Sequence, residues 1–275
     1  MSDRNELQLS GAQLYGDDLS ADEIRLWYEE EETGFLDLLT GHYAIADEGG
    51  NYEYEYEALN RFHAIDGLSG RRFDCCVALG CANGADVAPL AGVVDRFVAI
   101  EPAQAFWRDE IGGKPARYLR PSVMGDIALP DRSADLATSF GVLHHIPHVS
   151  HSVEEMARVL APGGLFLVRE PVSWMGDWRR PRPGLTKNER GLPMNWFETT
   201  VTDRGFDILG RRVCMFNPLS ILAKRLGLPR PYTSRAFVVA DWLVSEMLRW
   251  TMRYRRANPV RKLAPSSAFW ILRRR

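Results

Sequence analysis

The residues best placed to do chemistry are a small-residue turn and one acid. Gly80-Cys81-Ala82-Asn83-Gly84 follows the apolar run Val77-Ala78-Leu79, and Glu101 closes a second apolar run, Arg96-Phe97-Val98-Ala99-Ile100, about twenty residues later. Glycines at 80 and 84 admit positive φ and close backbone approach, and amides left unpaired where a next helix begins attract polar or anionic ligand groups. An acid at that distance accepts the hydroxyls of a ribose. The combination points to a nucleoside-type ligand lying against the main chain. A hydride-transfer enzyme is disfavoured, because its G-x-G-x-x-G turn needs a further glycine that Gly80-Cys81-Ala82-Asn83-Gly84-Ala85 lacks.

Such a site needs an open parallel sheet, in which ligands lie outside the carboxyl ends of the strands. From 73 to 170 the chain alternates apolar strands with helical stretches: strands over 73–79, 96–100, 118–123, 134–140 and 165–169, and a helix over 151–160. Before them, Ser20, Asp22 and Glu23 open a helical stretch over 20–40 that Gly34 divides in two. Tyr52, Tyr54 and Tyr56 alternate with Glu53, Glu55 and Glu57 and lead into another helix. Residues 171–198, rich in Trp, Pro, Arg and Gly, leave the carboxyl edge and overhang the site. A helix over 195–204 and strands beginning at Gly205 and Ala268 follow. Between those strands lie amphipathic helices over 219–226 and 241–256, with Leu, Trp and Met faces and basic ends. Packing on the domain is the plain reading of these helices, and peripheral contact with an anionic membrane is the alternative.

A net charge of −2 and 45% hydrophobic residues over 275 positions describe a globular chain and exclude a disordered or fibrous one. The charge is uneven: sixteen acids against two bases through residue 60, and sixteen bases against four acids from residue 201. Either the ends attract each other across the fold or the basic end meets an anionic partner. Cys75, Cys76, Cys81 and Cys214 show no metal spacing and read as reduced, buried fillers. The chain begins Met1-Ser2-Asp3-Arg4, without a basic-then-apolar leader, and no run reaches membrane-span length, so the expected address is cytoplasmic, with the peripheral membrane contact as its variant.

Five stretches taken in order resemble the motifs of the class I S-adenosylmethionine-dependent methyltransferases, in particular the small-molecule group. They are Ala78-Leu79-Gly80-Cys81-Ala82-Asn83-Gly84; Ile100-Glu101-Pro102; Gly125-Asp126-Ile127; Asp135-Leu136-Ala137-Thr138-Ser139-Phe140-Gly141-Val142-Leu143-His144-His145; and Leu160-Ala161-Pro162-Gly163-Gly164-Leu165. The resemblance covers about residues 73–172. It implies an α/β fold with a doubly wound, mainly parallel seven-stranded sheet of Rossmann-like type. A helical lid over 1–70 then precedes a methyltransferase domain over 71–275, which carries a loop at 171–198 and a helical insertion at 215–264. It implies S-adenosylmethionine as cofactor, S-adenosylhomocysteine as product, and in-line methyl transfer to a small-molecule, sugar or lipid-linked acceptor. No nucleic-acid reader motif accompanies the basic end.

Carried over residue by residue, the cofactor contacts fall on Ala78, Gly80, Cys81, Ala82, Gly84, Glu101, Pro102, Asp126, Ile127, Phe140 and Gly141. Glu101 would serve the ribose, Asp126 the adenine amino group and Ile127 the ring. Two positions depart from the family pattern: Ala78 replaces an acid that serves the methionine end of the cofactor, and Ala82 replaces a glycine. These departures support the alternative of a catalytically inactive, methyltransferase-like binding subunit. A sulfonium already activates its methyl group, so such a protein mainly aligns the reactants and excludes water. A base is needed only for a protonated acceptor, and His144, His145 and Glu170 at the carboxyl edge are the candidates. His148 and His151 read as helix-entry residues. No acid stands at ligand spacing from these histidines, and no metal site is assigned.

Overall fold

The structure, a computed structural model, describes residues 3–41, with backbone alone over 32–41, then 54–255 and 263–275. Five apolar segments lie side by side in parallel: β1 (Phe73–Leu79), β2 (Val94–Ile100), β4 (Lys114–Leu119), β5 (Ala134–Phe140) and β6 (Leu160–Pro171). β1, β2, β5 and β6 are mostly apolar on both faces because both faces are covered, whereas β4 (Lys114-Pro115-Ala116-Arg117-Tyr118-Leu119) buries only Tyr118. β8 (Ser267–Arg274) runs antiparallel beside β6, and β7 (Phe206–Cys214) forms the edge beyond it, with a register shift between Ile208 and Gly210. Those seven strands are the number expected. An eighth, β3 (Glu110–Ile111), is a two-residue hairpin partner of β4, giving the order β3-β4-β2-β1-β5-β6-β8-β7. Register levels the strand ends: Leu79 stands opposite Ile100 on one side and Ser139 on the other. Gly80, Glu101 and the exit of β5 therefore share one edge.

On one face, Val77, Leu79, Phe166 and Val168 pack under α4 (Val149–Val159) and α5 (Met194–Asp203). Met156, Phe197 and Val201 fill that layer. On the other, Cys76, Ala78, Leu165 and Leu167 meet Leu59 of α3 (Glu57–His63) and Phe237 and Val238 of α7 (Arg235–Leu248). α6 (Asn217–Arg225) precedes α7 and buries no residue. Asp241 anchors the insertion by accepting the Met215 and Phe216 amides, both at 2.8 Å.

Several local expectations change. The helix expected after the glycine turn is only a 3-10 turn, Ala88–Gly92. Pro89 explains this, because in an α-helix its ring would press on the Ala85 carbonyl and its missing N–H would break the ladder. The β2-to-β4 crossover likewise holds a 3-10 turn, Gln104–Phe106, and the β3 hairpin. The third strand ends at Leu119, four residues earlier than the expected 123, because Gly112 and Gly113 take φ of 57° and 77° to turn the hairpin and Pro121 has no donor to extend the ladder. α2 (Ala21–Gly41) runs unbroken through Gly34, whose cost of about 1 kcal/mol does not break so long a helix. It follows α1 (Asp3–Ser10). Tyr54 and Tyr56 precede α3 instead of lying in it, and Tyr52 falls outside the described residues. α7 ends at Leu248, so the helix expected to reach 256 stops early in a 3-10 turn, Arg249–Thr251.

Candidate active site

At the end of β1 the chain turns sharply. Gly80 has φ 61° and donates its amide to the Ile100 carbonyl at 2.9 Å, and a Cβ there would run into Val142. Gly84, φ 83°, would collide with Ile111 if it carried a side chain. Ala82 sits between them with φ 45°, left-handed backbone in the position where the resemblance places glycine. Glu101 locks this turn to its own strand: Oε2 accepts the Ala82 amide at 3.0 Å and Oε1 the Ala103 amide at 3.0 Å. Burial raises the Glu101 pKa, and the two amides oppose that rise. Each carboxylate oxygen retains acceptor capacity for a ribose hydroxyl. Pro102 is exposed beside it, whereas Ala78 and Cys81 are buried. Burial pushes the Cys81 thiol pKa well up and keeps it protonated.

Asp126 is exposed at the same edge, accepting from the Ser122 hydroxyl at 2.7 Å and lying 2.9 Å from His151 Nε2. The Ser122 hydrogen bond is the main cause of its lowered pKa. Ile127 is buried in the core beside Leu79 and Ile100, with its amide donating to Glu155 at 2.8 Å. His148 precedes α4 at φ 53° and His151 lies in its first turn, both at the helix entry.

One strand over, side chains replace main chain. Glu170 ends β6 with no solvent exposure. Its Oε1 accepts the Val142 and Leu143 amides at 2.9 and 2.8 Å, and its Oε2 lies 2.7 Å from His144 Nδ1. A carboxylate only accepts, so Nδ1 carries the hydrogen and Nε2 is left bare. Burial alone would raise the Glu170 pKa, but His144 and the two amides outweigh it and hold it low. Burial, helped by the neighbouring His145, lowers that of His144. The two imidazoles lie 4.1 Å apart, and His145 Nδ1 is 3.1 Å from Glu31 of α2. Burial would lower the His145 pKa, but Glu31 overrides it and the net shift is upward. Gly141, φ 78°, carries the chain from β5 to these residues.

Segment 171–198 completes this half. Thr186 donates to Glu31 at 2.6 Å, the Asn188 amide donates to its other oxygen at 2.9 Å, and Glu189 Oε1 lies 3.7 Å from His144 Nε2. Buried Arg190 donates to the carbonyls of Tyr15, Leu143, His144 and Ile146. Trp27 donates to the His145 carbonyl at 2.8 Å, and Tyr15 stacks on Trp178 at 4.4 Å. The N-terminal helices and segment 171–198 thus pack on each other at the exit of β5.

Sequence reasoning missed Glu31 and Glu189, which have no fixed spacing from the histidines. The fold supplies the acids that the spacing lacked: ligating atoms of His144, His145 and Glu189 lie within 4.8 Å of one another. All four cysteines are free and buried, as expected. A groove of about 690 Å³ at the opposite edge, lined by Arg132, Arg158, Arg204 and Arg274 among others, contains none of the candidate residues.

Residues 77–168, from β1 to β6, match the family described as Methyltransferase domain. An uncharacterized methyltransferase of Mycobacteroides abscessus is 41% identical over 114 residues, 39% of this chain and 43% of that protein. A probable S-adenosylmethionine-dependent methyltransferase of Mycobacterium tuberculosis is 30% identical over 131 residues, 46% of each chain. The aligned stretches therefore span less than half the length of these curated relatives. The N-methyltransferase NodS of Bradyrhizobium japonicum, in complex with S-adenosyl-L-homocysteine, superposes with TM-score 0.51 at 13% identity over 90% of this chain and 98% of its own. The [4+2]-cyclase SpnF superposes with TM-score 0.55 at 17% identity over 93% and 97%. At those identities the superpositions establish a fold, and one fold hosts several chemistries. Sequence match and sheet order coincide on the same strands, and what they delimit in this chain is a class I S-adenosylmethionine-dependent methyltransferase domain.

Proposed function

We propose that the protein transfers the methyl group of S-adenosylmethionine to a small-molecule, sugar or lipid-linked acceptor by in-line displacement. The observation that carries this reading is the adjacency of two built groups on one sheet edge: Glu101 locked to the glycine turn, and His144 locked to Glu170. When bound, the cofactor supplies a methyl group activated by its sulfonium. Glu101 would accept the ribose hydroxyls, Asp126 would meet the adenine amino group, and Gly80, Gly84, Phe140 and Gly141 would border the methionine end. Glu170 fixes the His144 ring, bare Nε2 would meet the acceptor beside Glu189 Oε1, and the lowered His144 pKa keeps that nitrogen unprotonated. With a hydroxyl acceptor, Nε2 would take the hydroxyl proton, leaving the oxygen as the nucleophile for the methyl group that the cofactor would supply. Such a base contributes about 10²–10⁴ in rate. The N-terminal helices and segment 171–198 act as the cover that excludes water.

A lipid-linked acceptor is favoured by the insertion. Leu226, Met247 and Trp250 are 78%, 74% and 68% exposed, near Lys224, Arg225, Arg249 and Arg253. That combination suits an anionic bilayer surface. Among the described residues no helix is long and apolar enough to cross a membrane. Trp242 differs from the exposed set by packing against Phe62, centroids 5.6 Å apart.

Calorimetry with S-adenosylhomocysteine tests the cofactor half. Wild type binds, and Glu101→Ala weakens binding by about 1.5–3 kcal/mol as charged hydrogen bonds are lost. A folded wild type that binds no cofactor instead supports the inactive binding subunit, for which Ala78 and strained Ala82 speak. Flotation with anionic vesicles at low salt tests the surface contact, and failure to co-float removes it.

A further inference from the structure

Several buried polar atoms without partners gather on the sheet face that carries Cys76 and Ala78. Arg169, only 6% exposed, stands next to Glu170 at the end of β6 and points to the opposite face. Its Nη2 donates to the Phe140 carbonyl at 3.2 Å and the Tyr54 hydroxyl at 3.1 Å, and its guanidinium lies 4.6 Å from the centre of the Tyr56 ring. A Cβ on Gly141 would stand 3.3 Å from that Nη2, so the cation borders the main chain where β5 opens onto the cofactor crevice. Its Nε has no hydrogen-bond partner, and among the described residues no carboxylate forms an ion pair with it. Asp86, 7% exposed, lies just behind the glycine turn, and its Oδ1 has no partner either. It feels Arg169 and Glu101, and it acts on Cys76 and Cys81.

Arg169 is a buried guanidinium that no carboxylate pairs with among the described residues, Asp86 is a buried acid with one oxygen unpartnered, and one ligand that carries a carboxylate and an ammonium together supplies a partner to each. The cofactor of this domain has such an end. Its usual acidic partner is absent, since Ala78 replaces it, and Ala78 shares a buried cluster with Cys76 and Cys81, the two thiols that Asp86 acts on. We propose that Arg169 and Asp86 seat the amino-acid end of S-adenosylmethionine, Arg169 receiving the carboxylate and Asp86 the ammonium in place of the acid missing at Ala78. The inference rests on the methyl-transfer reading and adds to it a relocated recognition site. Burial raises the Asp86 pKa to about 8, with Arg169 the main opposing influence, as fits an acid whose cationic partner arrives with a ligand.

The test is calorimetry on the full-length protein with S-adenosylhomocysteine and with 5′-methylthioadenosine, which lacks the amino-acid end. Wild type is expected to bind the first at least tenfold more tightly. Arg169→Gln and Asp86→Asn should each lose roughly 10–100-fold for the first and nothing for the second, as removal of one charged contact does. Equal losses for both ligands, or no loss for S-adenosylhomocysteine in a folded variant, overturn the assignment. Should Arg169→Gln fail to fold, decarboxylated S-adenosylmethionine on wild type serves instead: weaker binding than that of the intact cofactor supports the carboxylate seat, and equal binding overturns it. Wild type that binds neither nucleoside defeats methyl transfer and this seat together, whereas equal affinity for both nucleosides defeats the seat alone.

Discussion

Two neighbouring stretches of the same sheet edge are built by different means. The glycine-turn half positions its groups with main chain: Gly80, Ala82 and Gly84 shape the loop, and two amides fix Glu101. The histidine half uses side chains from α2, β6 and segment 171–198, with Glu170, Glu31 and Glu189 arranged around His144 and His145. A main-chain site tolerates substitution as long as φ and ψ survive. A site of interlocked buried carboxylates and imidazoles fails when any one member leaves.

The largest expected effect lies in the histidine half. Glu170→Ala strands two amides and His144 Nδ1 in a water-free position, and it should cost about 3–5 kcal/mol in denaturant unfolding. A loss under about 1 kcal/mol would mean that this half, too, is held by its backbone.

The next effect depends on pH and belongs to the glycine-turn half. An acid whose pKa rises from 3.8 unfolded to about 8 folded holds its proton more tightly in the native state. Its contribution is therefore fully present below about pH 4 and is lost as pH climbs through 8. Without cofactor, Asp86→Asn should become progressively more stable than wild type across that window, by up to about 1.4 kcal/mol per pH unit. Parallel stability curves for the two proteins would show that Asp86 is solvated.

Ala82→Gly should be milder. Relief of a left-handed alanine, about 1–2 kcal/mol, is partly offset by the glycine's added chain entropy, leaving roughly 0.5–1 kcal/mol of stabilisation. Destabilisation would show that the turn is unstrained. Smallest of all is the response to chelation. Because bare Nε2 of His144 is assigned the task of accepting the acceptor's proton, EDTA is expected to leave methyl transfer unchanged, and lost activity restored by a divalent ion would reassign His144, His145 and Glu189 to a metal.

The same contrast explains what the sequence made legible. Strand, glycine turn and Glu101 follow from local spacing, and four of the five parallel strands follow from apolar runs between breakers, whereas β4, a polar stretch from Lys114 to Leu119, meets the expected 118–123 only at Tyr118 and Leu119. The histidine half was half visible: His144, His145 and Glu170 sit at strand exits, but Glu31 is 114 positions from His145 and reaches it only through the docking of α2. The missing helix after Gly84 was written in Pro89, a local signal that the family pattern outweighed. The split of α7 into an inner row (Phe237, Val238, Asp241) and an outer row (Leu243, Met247) depended on which face the sheet would offer, and periodicity alone does not choose.

The register shift in β7 also governs how the sheet meets a second sheet. β7 is an outermost strand of nine residues, long enough to template another chain, and it exposes Leu209. The extra residue between Ile208 and Gly210 twists that rim away from planarity, and Arg211 and Arg212 follow at once. Bulge and cations together block edge-to-edge strand addition. At the far rim, β3 is two residues long and offers almost no ladder to extend. Both rims among the described residues therefore disfavour amyloid-like stacking of one copy on another.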